Sequence, residues 1–235
     1  YIDMTLSILN KLGIYAKFND NTIIIKPKKD EIINTEYKVE ADWSSASYFF
    51  SIVALSKNIE LSFLNFRKDS FQGDINVCKY YELFGVKTTF QNGKLIIKKR
   101  NNFNYPEKII IDLKDNPDLA QTIIVTAFGL NIPTKLTGLS TLKVKETDRI
   151  EALRNELTNL GASCIIDDES IEFFKSNKLN KNYIINTYDD HRMALAFAPL
   201  SVIFPIEIQD PKVVSKSFPE FWNILEKLNF SIDFV

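Results

Sequence analysis

A chain of 235 residues with 45% hydrophobic side chains can bury a full core, and its length suits one large domain or one and a half. Lys and Arg number 29 against 30 Asp and Glu, so no global field favours nucleic acid or an anionic membrane, and any anion site must be local. Cys78 and Cys164 lie far apart without CxxC spacing, which argues against a disulfide framework or zinc site and reads as two reduced core residues, while no apolar run reaches the ~20 residues of a membrane span and no signal peptide opens the chain, so the cytoplasm follows by default.

The chain opens at Tyr1 directly on an amphipathic pattern (Ile2, Leu6, Leu9, Leu12), which predicts a helix ending at Gly13 and suggests a piece of a longer protein. Two short strands, 14–18 and 22–26, follow around Asn19-Asp20-Asn21. The same phrase returns: a helix ending at Gly85 with strands at 86–90 and 94–98 turned by Asn92-Gly93, a helix ending at Gly161 with strands at 163–166 and 170–174, and a helix ending at Leu228-Asn229 with a final strand. The period is about 70 residues.

Each later copy has an earlier half as well, in which a strand leads to an acid at a helix start: Asp42 before 44–55, Asp118 before 119–130, and Asp190 before 191–204. The unit is therefore strand, helix, strand, helix, strand, strand. Its first helices are apolar nearly all round (Ile123 to Phe128, Met193 to Ala198), which places them at the centre with the sheets outside. The boundary falls near 39–41, where the opening hairpin passes into the first full unit. Three units about a pseudo-threefold axis would bring corresponding helix N-termini to one face, where their dipoles add in favour of a phosphorylated dianion.

Residues 143–150, Lys-Val-Lys-Glu-Thr-Asp-Arg-Ile, precede a helix whose apolar face is Ile150, Leu153, Leu157 and Leu160. On a helix, Lys145 and Arg149 would point the same way with Glu146 beside them, the layout of an anion site with a carboxylate attached. The same residues also read as a solvated face in which acids complement the dipole. Asp118, Asp189 and Asp190 read equally as N-caps, Ser44, Ser45 and Ser47 as caps and close-packing residues, and Ser215 to Glu220 as a further helix start with a serine cap.

Val39 to Phe49, Asn116-Pro117-Asp118, Val144 to Arg149, Tyr188 to Met193, and Asp210-Pro211-Lys212 with Lys216 to Pro219 resemble, in order and spacing, the 3-phosphoshikimate 1-carboxyvinyltransferases, or EPSP synthases. The resemblance runs along the whole chain. It implies an α/β fold, the inside-out α/β barrel of repeated βαβαββ units, with residues 1–39 the tail of one domain and 40–235 nearly all of the other, its last unit truncated. The implied reaction moves the enolpyruvyl group of phosphoenolpyruvate to the 5-hydroxyl of shikimate 3-phosphate and releases phosphate, without metal or organic cofactor, in an intact enzyme that is a monomer and binds neither nucleic acid nor membrane.

The resemblance also implies residue roles. Asp118 takes the proton of the attacking hydroxyl, and Glu146 gives a proton to the methylene carbon and later removes one. Lys145 lies near shikimate 3-phosphate, Tyr1 near its 3-phosphate, and Thr141 stands where some members place an asparagine. Arg149 and Arg192 grip the phosphoenolpyruvate carboxylate, Lys216 lies on the phosphate side, and His191 supports its neighbours. The first half of the family's chain, with further substrate-clamping residues, has no counterpart here, so the chain alone is expected to be inactive. The alternatives are a UDP-N-acetylglucosamine enolpyruvyl transferase, against which the Lys-Glu-Thr-Asp-Arg and Asp-His-Arg-Met segments speak together, and a folded half-enzyme without catalysis.

Overall fold

The computed structural model describes residues 1–27, 36–176 and 178–234. Helix α1 (Ile2–Lys11) turns through Gly13, at φ +77°, into an antiparallel hairpin of β1 (Ala16–Asn19) and β2 (Thr22–Ile25), with Asp20 and Asn21 in left-handed conformations at the turn. Three consecutive isoleucines of β2, Ile23 to Ile25, remain exposed.

The repeat is visible in the sheets. Helix α2 (Trp43–Leu55) leads into β3 (Glu60–Leu64), then α3 (Val77–Glu82) and the hairpin of β4 (Val86–Gln91) and β5 (Lys94–Lys99), giving the antiparallel order β3-β5-β4. The second unit adds the leading strand β6 (Ile109–Asp112), then α4 (Ala120–Leu130), β7 (Thr134–Thr137), α5 (Arg149–Asn159), β8 (Ser163–Ile166) and β9 (Ile171–Phe174). Its order is β6-β7-β9-β8, with β6 and β7 parallel and the other pairs antiparallel. Here β7-β9-β8 repeats the arrangement β3-β5-β4, as one βαβαββ unit repeated would require.

The third unit has β10 (Ile184–Ile185) parallel to β11 (Glu207–Ile208), α6 (His191–Phe197) between them, and α7 (Phe221–Lys227) at its end.

Four expectations need correction. Residues 36–41 form no leading strand before Asp42; this stretch is tied to Asn65 instead, whose carbonyl accepts from the Ala41 amide and whose side chain donates to the Val39 carbonyl. Residues 230–234 form no final strand, since no strand of the described chain pairs with them. The expected long helix 191–204 is α only to Phe197 and tightens into a 3-10 turn over Ala198–Val202, with Pro199 unable to donate a helical hydrogen bond. Ser215 is no N-cap: it lies in a 3-10 turn (Pro211–Lys216), its hydroxyl donates to the Lys212 carbonyl, and α7 starts later without a side-chain cap.

The helices-inside arrangement holds. Helices α2, α4 and α6 pack on one another, and their buried residues run almost without a break, as an apolar surface on every side demands. Several polar exceptions are paired across the α2/α4 seam, Ser47 with Thr122 at 3.1 Å, and Ser51, Thr126 and Tyr81 in a chain of hydroxyls, whereas Gln121 of α4 is buried with no hydrogen-bond partner for its amide among the described residues. Both cysteines are free and partly buried against the core, and burial pushes each thiol up to about 12.

Gly138 fixes the connection between β7 and the segment 140–148. Its φ is +75°, and a Cβ there would run into the Lys114 amide and the Asp112 carboxylate. Gly138→Ala should lose about 1–2 kcal/mol to the left-handed backbone alone, with the clash added. A melting temperature within about 1 °C of the parent would contradict this.

Candidate active site

Three helix starts converge. Asp118 sits in a 3-10 turn (Pro117–Leu119) ahead of α4, Arg149 is the first residue of α5, and Asp190 caps α6 by accepting from the Arg192 amide at 2.8 Å. Arg149 is the hub. Its Nε donates to Asp190 Oδ2 at 2.6 Å, Nη2 to Glu146 Oε2 at 2.6 Å, and Nη1 to Asp118 Oδ1 at 3.1 Å. The guanidinium side chain is 2% exposed and that of Asp190 0%, so this pair is fully withdrawn from water. Such a fork matched to planar carboxylates is the geometry guanidinium provides and ammonium does not.

Arg192 approaches Asp118 from the other side, with Nη2 3.3 Å from Oδ2 and Nη1 3.2 Å from the carbonyl. Lys145 Nζ stands 3.8 Å from Asp118 Oδ1. The expectation that Lys145 and Arg149 share a helix face is corrected here: Asp148 is the N-cap, accepting from the Glu151 amide, and Lys145 lies outside the helix in extended backbone. The two cations still meet, at Asp118. They arrive there from a loop and a helix start rather than from one helical face.

The remaining expected residues are placed as follows. Glu146 is on the loop, and its side chain is 39% exposed. Lys216 donates from Nζ to both the carbonyl and Oδ1 of Asp189, each at 2.8 Å, and so contacts the turn that carries Asp190 rather than the Arg149 cluster. Tyr1 is 93% exposed, and its phenol is shifted upward by desolvation first and then by the charges of Asp118 and Asp74, but its side chain makes no hydrogen bond to the cluster among the described residues. Thr141 is exposed on the 3-10 turn Ser140–Val144, and its hydroxyl makes no hydrogen bond among the described residues.

Two further residues at the site have no role assigned from the sequence, although Tyr48 lies within the stretch Val39 to Phe49. Asp74 accepts from the Ser44 hydroxyl and sits in the field of Arg192, Asp118 and Asp42, with its pKa raised by burial above all. Tyr48, inside the apolar run of α2, has its phenol pushed up to about 12 by burial above all, with Arg192 lowering it and Asp42 and Asp190 raising it. A Gly-Asp pair and a tyrosine in a buried helix look ordinary until the fold brings them to Arg192.

His191 is buried, and its Nδ1 has no hydrogen-bond partner; it lies 3.8 Å from Glu146 Oε1 and 3.8 Å from Asp190 Oδ1. Desolvation is the main cause of its lowered pKa. The folded state therefore favours neutral imidazole. The stability this contributes is complete above the ordinary value of 6.5 and is lost as pH falls through the lower folded value. The melting temperature should decline as pH falls below about 6.5, and His191→Gln should flatten that decline between pH 7 and 5. Parallel curves for the two proteins would contradict it.

Glu146, Asp190 and His191 also offer three ligand atoms within 4.8 Å of one another. A metal ion there would compete with Arg149, which already takes one oxygen of Glu146 and both of Asp190. The donor set is therefore poorly suited to a cation. What the arrangement can do is hold an anion between guanidinium and ammonium groups at the N-termini of α4 and α5, with two carboxyl groups, Asp118 and Glu146, available to move protons.

The turn feeding Asp190 is held in an uncommon conformation. Tyr188 and Asp189 have φ of +54° and +56°, a region in which a bulky L-residue costs roughly 1–2 kcal/mol.

A family model described as EPSP synthase (3-phosphoshikimate 1-carboxyvinyltransferase) matches residues 1–225. The 3-phosphoshikimate 1-carboxyvinyltransferase of Bacteroides fragilis (strain YCH46) is 39% identical over 99% of this chain and 57% of its own. That of Buchnera aphidicola subsp. Baizongia pistaciae is 33% identical over 97% and 52%. Among solved structures, EPSP synthase from Acinetobacter baumannii superposes with a TM-score of 0.73 at 22% identity, covering 95% of this chain and 53% of that one. The enolpyruvyl transferase NikO from Streptomyces tendae gives 0.62 at 13% identity, covering 97% and 52%. These structural likenesses establish the fold, and the chain spans about half the length of the curated relatives it matches. With a family match over nearly its full length, the chain belongs to the EPSP synthase family.

Proposed function

We propose that the chain is the C-terminal part of an enzyme that transfers the enolpyruvyl group of phosphoenolpyruvate to the 5-hydroxyl of shikimate 3-phosphate. The observation that carries this reading is the meeting of Arg149, Arg192 and Lys145 on Asp118, with Glu146 on the same guanidinium. Residues 1–39 are then the tail of the other domain, a reading that the exposed isoleucines of β2 support. Residues 40–235 are most of the second domain.

In this reading Arg149 and Arg192 hold the phosphoenolpyruvate carboxylate. Arg192 makes the longer contacts, 3.2 and 3.3 Å, and is the one free to exchange Asp118 for a substrate oxygen. Asp118 accepts the proton of the attacking 5-hydroxyl as its oxygen bonds to C2. Glu146, the more exposed acid, delivers a proton to C3; when phosphate leaves the tetrahedral intermediate, it takes one back. Lys145 and Tyr1 face shikimate 3-phosphate, with the Thr141 hydroxyl beside them, and Lys216 faces the phosphate that departs. His191 supports Glu146 as a neutral imidazole. The lone chain is inactive, since it lacks the facing half that would complete the cation set and exclude water. The intact enzyme is a cytoplasmic monomer. No described helix is long and apolar enough to cross a membrane.

The acceptor decides between this and the UDP-N-acetylglucosamine alternative. Calorimetric titration of the chain together with its complementary half should show shikimate 3-phosphate binding and none for UDP-N-acetylglucosamine. The reverse order of affinities would overturn the proposal.

A further inference from the structure

Glu156 is a carboxyl group with 0% exposure and no ion-pair partner among the described residues. Its needs are met by neutral donors alone: the Tyr188 hydroxyl at 2.6 Å and the Tyr183 hydroxyl at 3.2 Å, both to Oε1, and the Asn186 amide at 2.9 Å to Oε2. A carboxylate only accepts, so three donors converging on it is the satisfied arrangement, and a buried one left short would be costly. All three donors lie in residues 183–188, the segment that runs into Asp190.

Glu156 and Arg149 are seven residues apart on α5, two helical turns, and so share one face. Arg149 grips Asp190, and Glu156 grips Tyr188 and Asn186. The segment is thus pinned to α5 at two points about 10 Å apart, which fixes its direction as well as its position. The pinned Tyr188 and the Asp189 that follows it are two successive left-handed residues leading to the second pin at Asp190, and the Asp190 amide donates back to the Thr187 carbonyl at 2.9 Å to close the turn. The phenol of Tyr188 is shifted well above its ordinary range by burial first and then by the bond to Glu156.

We propose that Glu156 is a positioning residue: by holding Tyr188 in its left-handed turn it sets Asp190 and Arg192 against Arg149. Its consequence for catalysis rests on the reading of the two arginines as the grip on a substrate carboxylate. The geometric claim does not depend on that reading.

The test contrasts two phenols that donate to the same oxygen. Tyr188→Phe and Tyr183→Phe each remove one donor from Glu156, but only the first releases the turn. In the ligand-free chain, hydrogen exchange of the Arg149 Nε–H, buried against Asp190, should quicken roughly ten- to hundredfold in Tyr188→Phe. In Tyr183→Phe it should stay within about twofold. Glu156→Gln, which keeps the volume but presents an amide donor to one side, should behave as Tyr188→Phe does. Equal acceleration in both phenylalanine variants would reduce Glu156 to a general packing role, and no change in any folded variant would refute the positioning role. With the complementary half present, phosphoenolpyruvate affinity should weaken roughly tenfold in Tyr188→Phe and hold in Tyr183→Phe. If the unmodified pair binds no phosphoenolpyruvate, the functional reading fails while the exchange result still decides the geometric claim.

Discussion

Replacing Arg149 with methionine should destabilise the chain by about 3–5 kcal/mol. The reason is the position of its partners. Asp190 is fully buried and would be left as an uncompensated carboxylate, while Glu146 and Asp118 would lose the cation that separates them. For a protein of this size that loss corresponds to a fall of roughly 6–20 °C in melting temperature. Adding Asp190→Asn to the methionine variant should recover part of the loss, because the amide oxygen still caps α6 through the Arg192 amide and no buried charge remains. If the single variant melted within about 2 °C of the parent, Arg149 would not be the hub described above.

The second large effect is on rate. In the protein reconstituted with its complementary half, Glu146→Gln should lower kcat by roughly 10²–10⁴-fold, the range set by loss of a general acid and base. Its effect on stability should be small, because the side chain is 39% exposed and Arg149 keeps its bonds to Asp190 and Asp118. Asp118→Asn should lower kcat by a similar factor. Because Asp118 also receives Lys145, Arg149 and Arg192, its substitution should disturb substrate affinity as well. Arg192→Lys separates the roles, since a point charge in place of the fork should raise KM for phosphoenolpyruvate more than it lowers kcat. A Glu146→Gln enzyme that keeps more than a tenth of parental kcat would remove Glu146 from proton transfer.

The repeat was legible in the sequence because its punctuation is local. Gly13, Gly85 and Gly161 all take positive φ at helix ends, and Asn92-Gly93 makes the hairpin turn that this pair favours. The apolar runs of α2, α4 and α6 likewise announced central helices, because burial on every side leaves no polar stripe. What failed were features that depend on a distant partner. The stretch before Asp42 has alternation enough for a strand but bonds to Asn65, and residues 230–234 have no neighbouring strand in the described chain.

The site divides in the same way. Arg149, Asp190 and Asp118 stand at helix starts, where caps and dipoles leave a sequence mark. The sequence puts Lys145 on the helix, whereas the cap is Asp148, one of several acids that could serve, and Lys145 lies before it in extended backbone. Asp74 and Glu156 leave no mark in the sequence, and Tyr48 only its place in the stretch Val39 to Phe49. Their significance arises only when the 3-10 turn carrying Asp74, α2 and α5 are folded against Arg192 and the 183–188 segment, and a glutamate inside an amphipathic helix reads from sequence as one more solvated charge.

The most direct measurement is phosphate release from phosphoenolpyruvate and shikimate 3-phosphate, with this chain alone and with the complementary half supplied in trans. The expected result is no release by the chain alone and turnover when both halves are present. Release by the lone chain at the rate of an intact relative would contradict the account, because the residues described here would then suffice without the facing half.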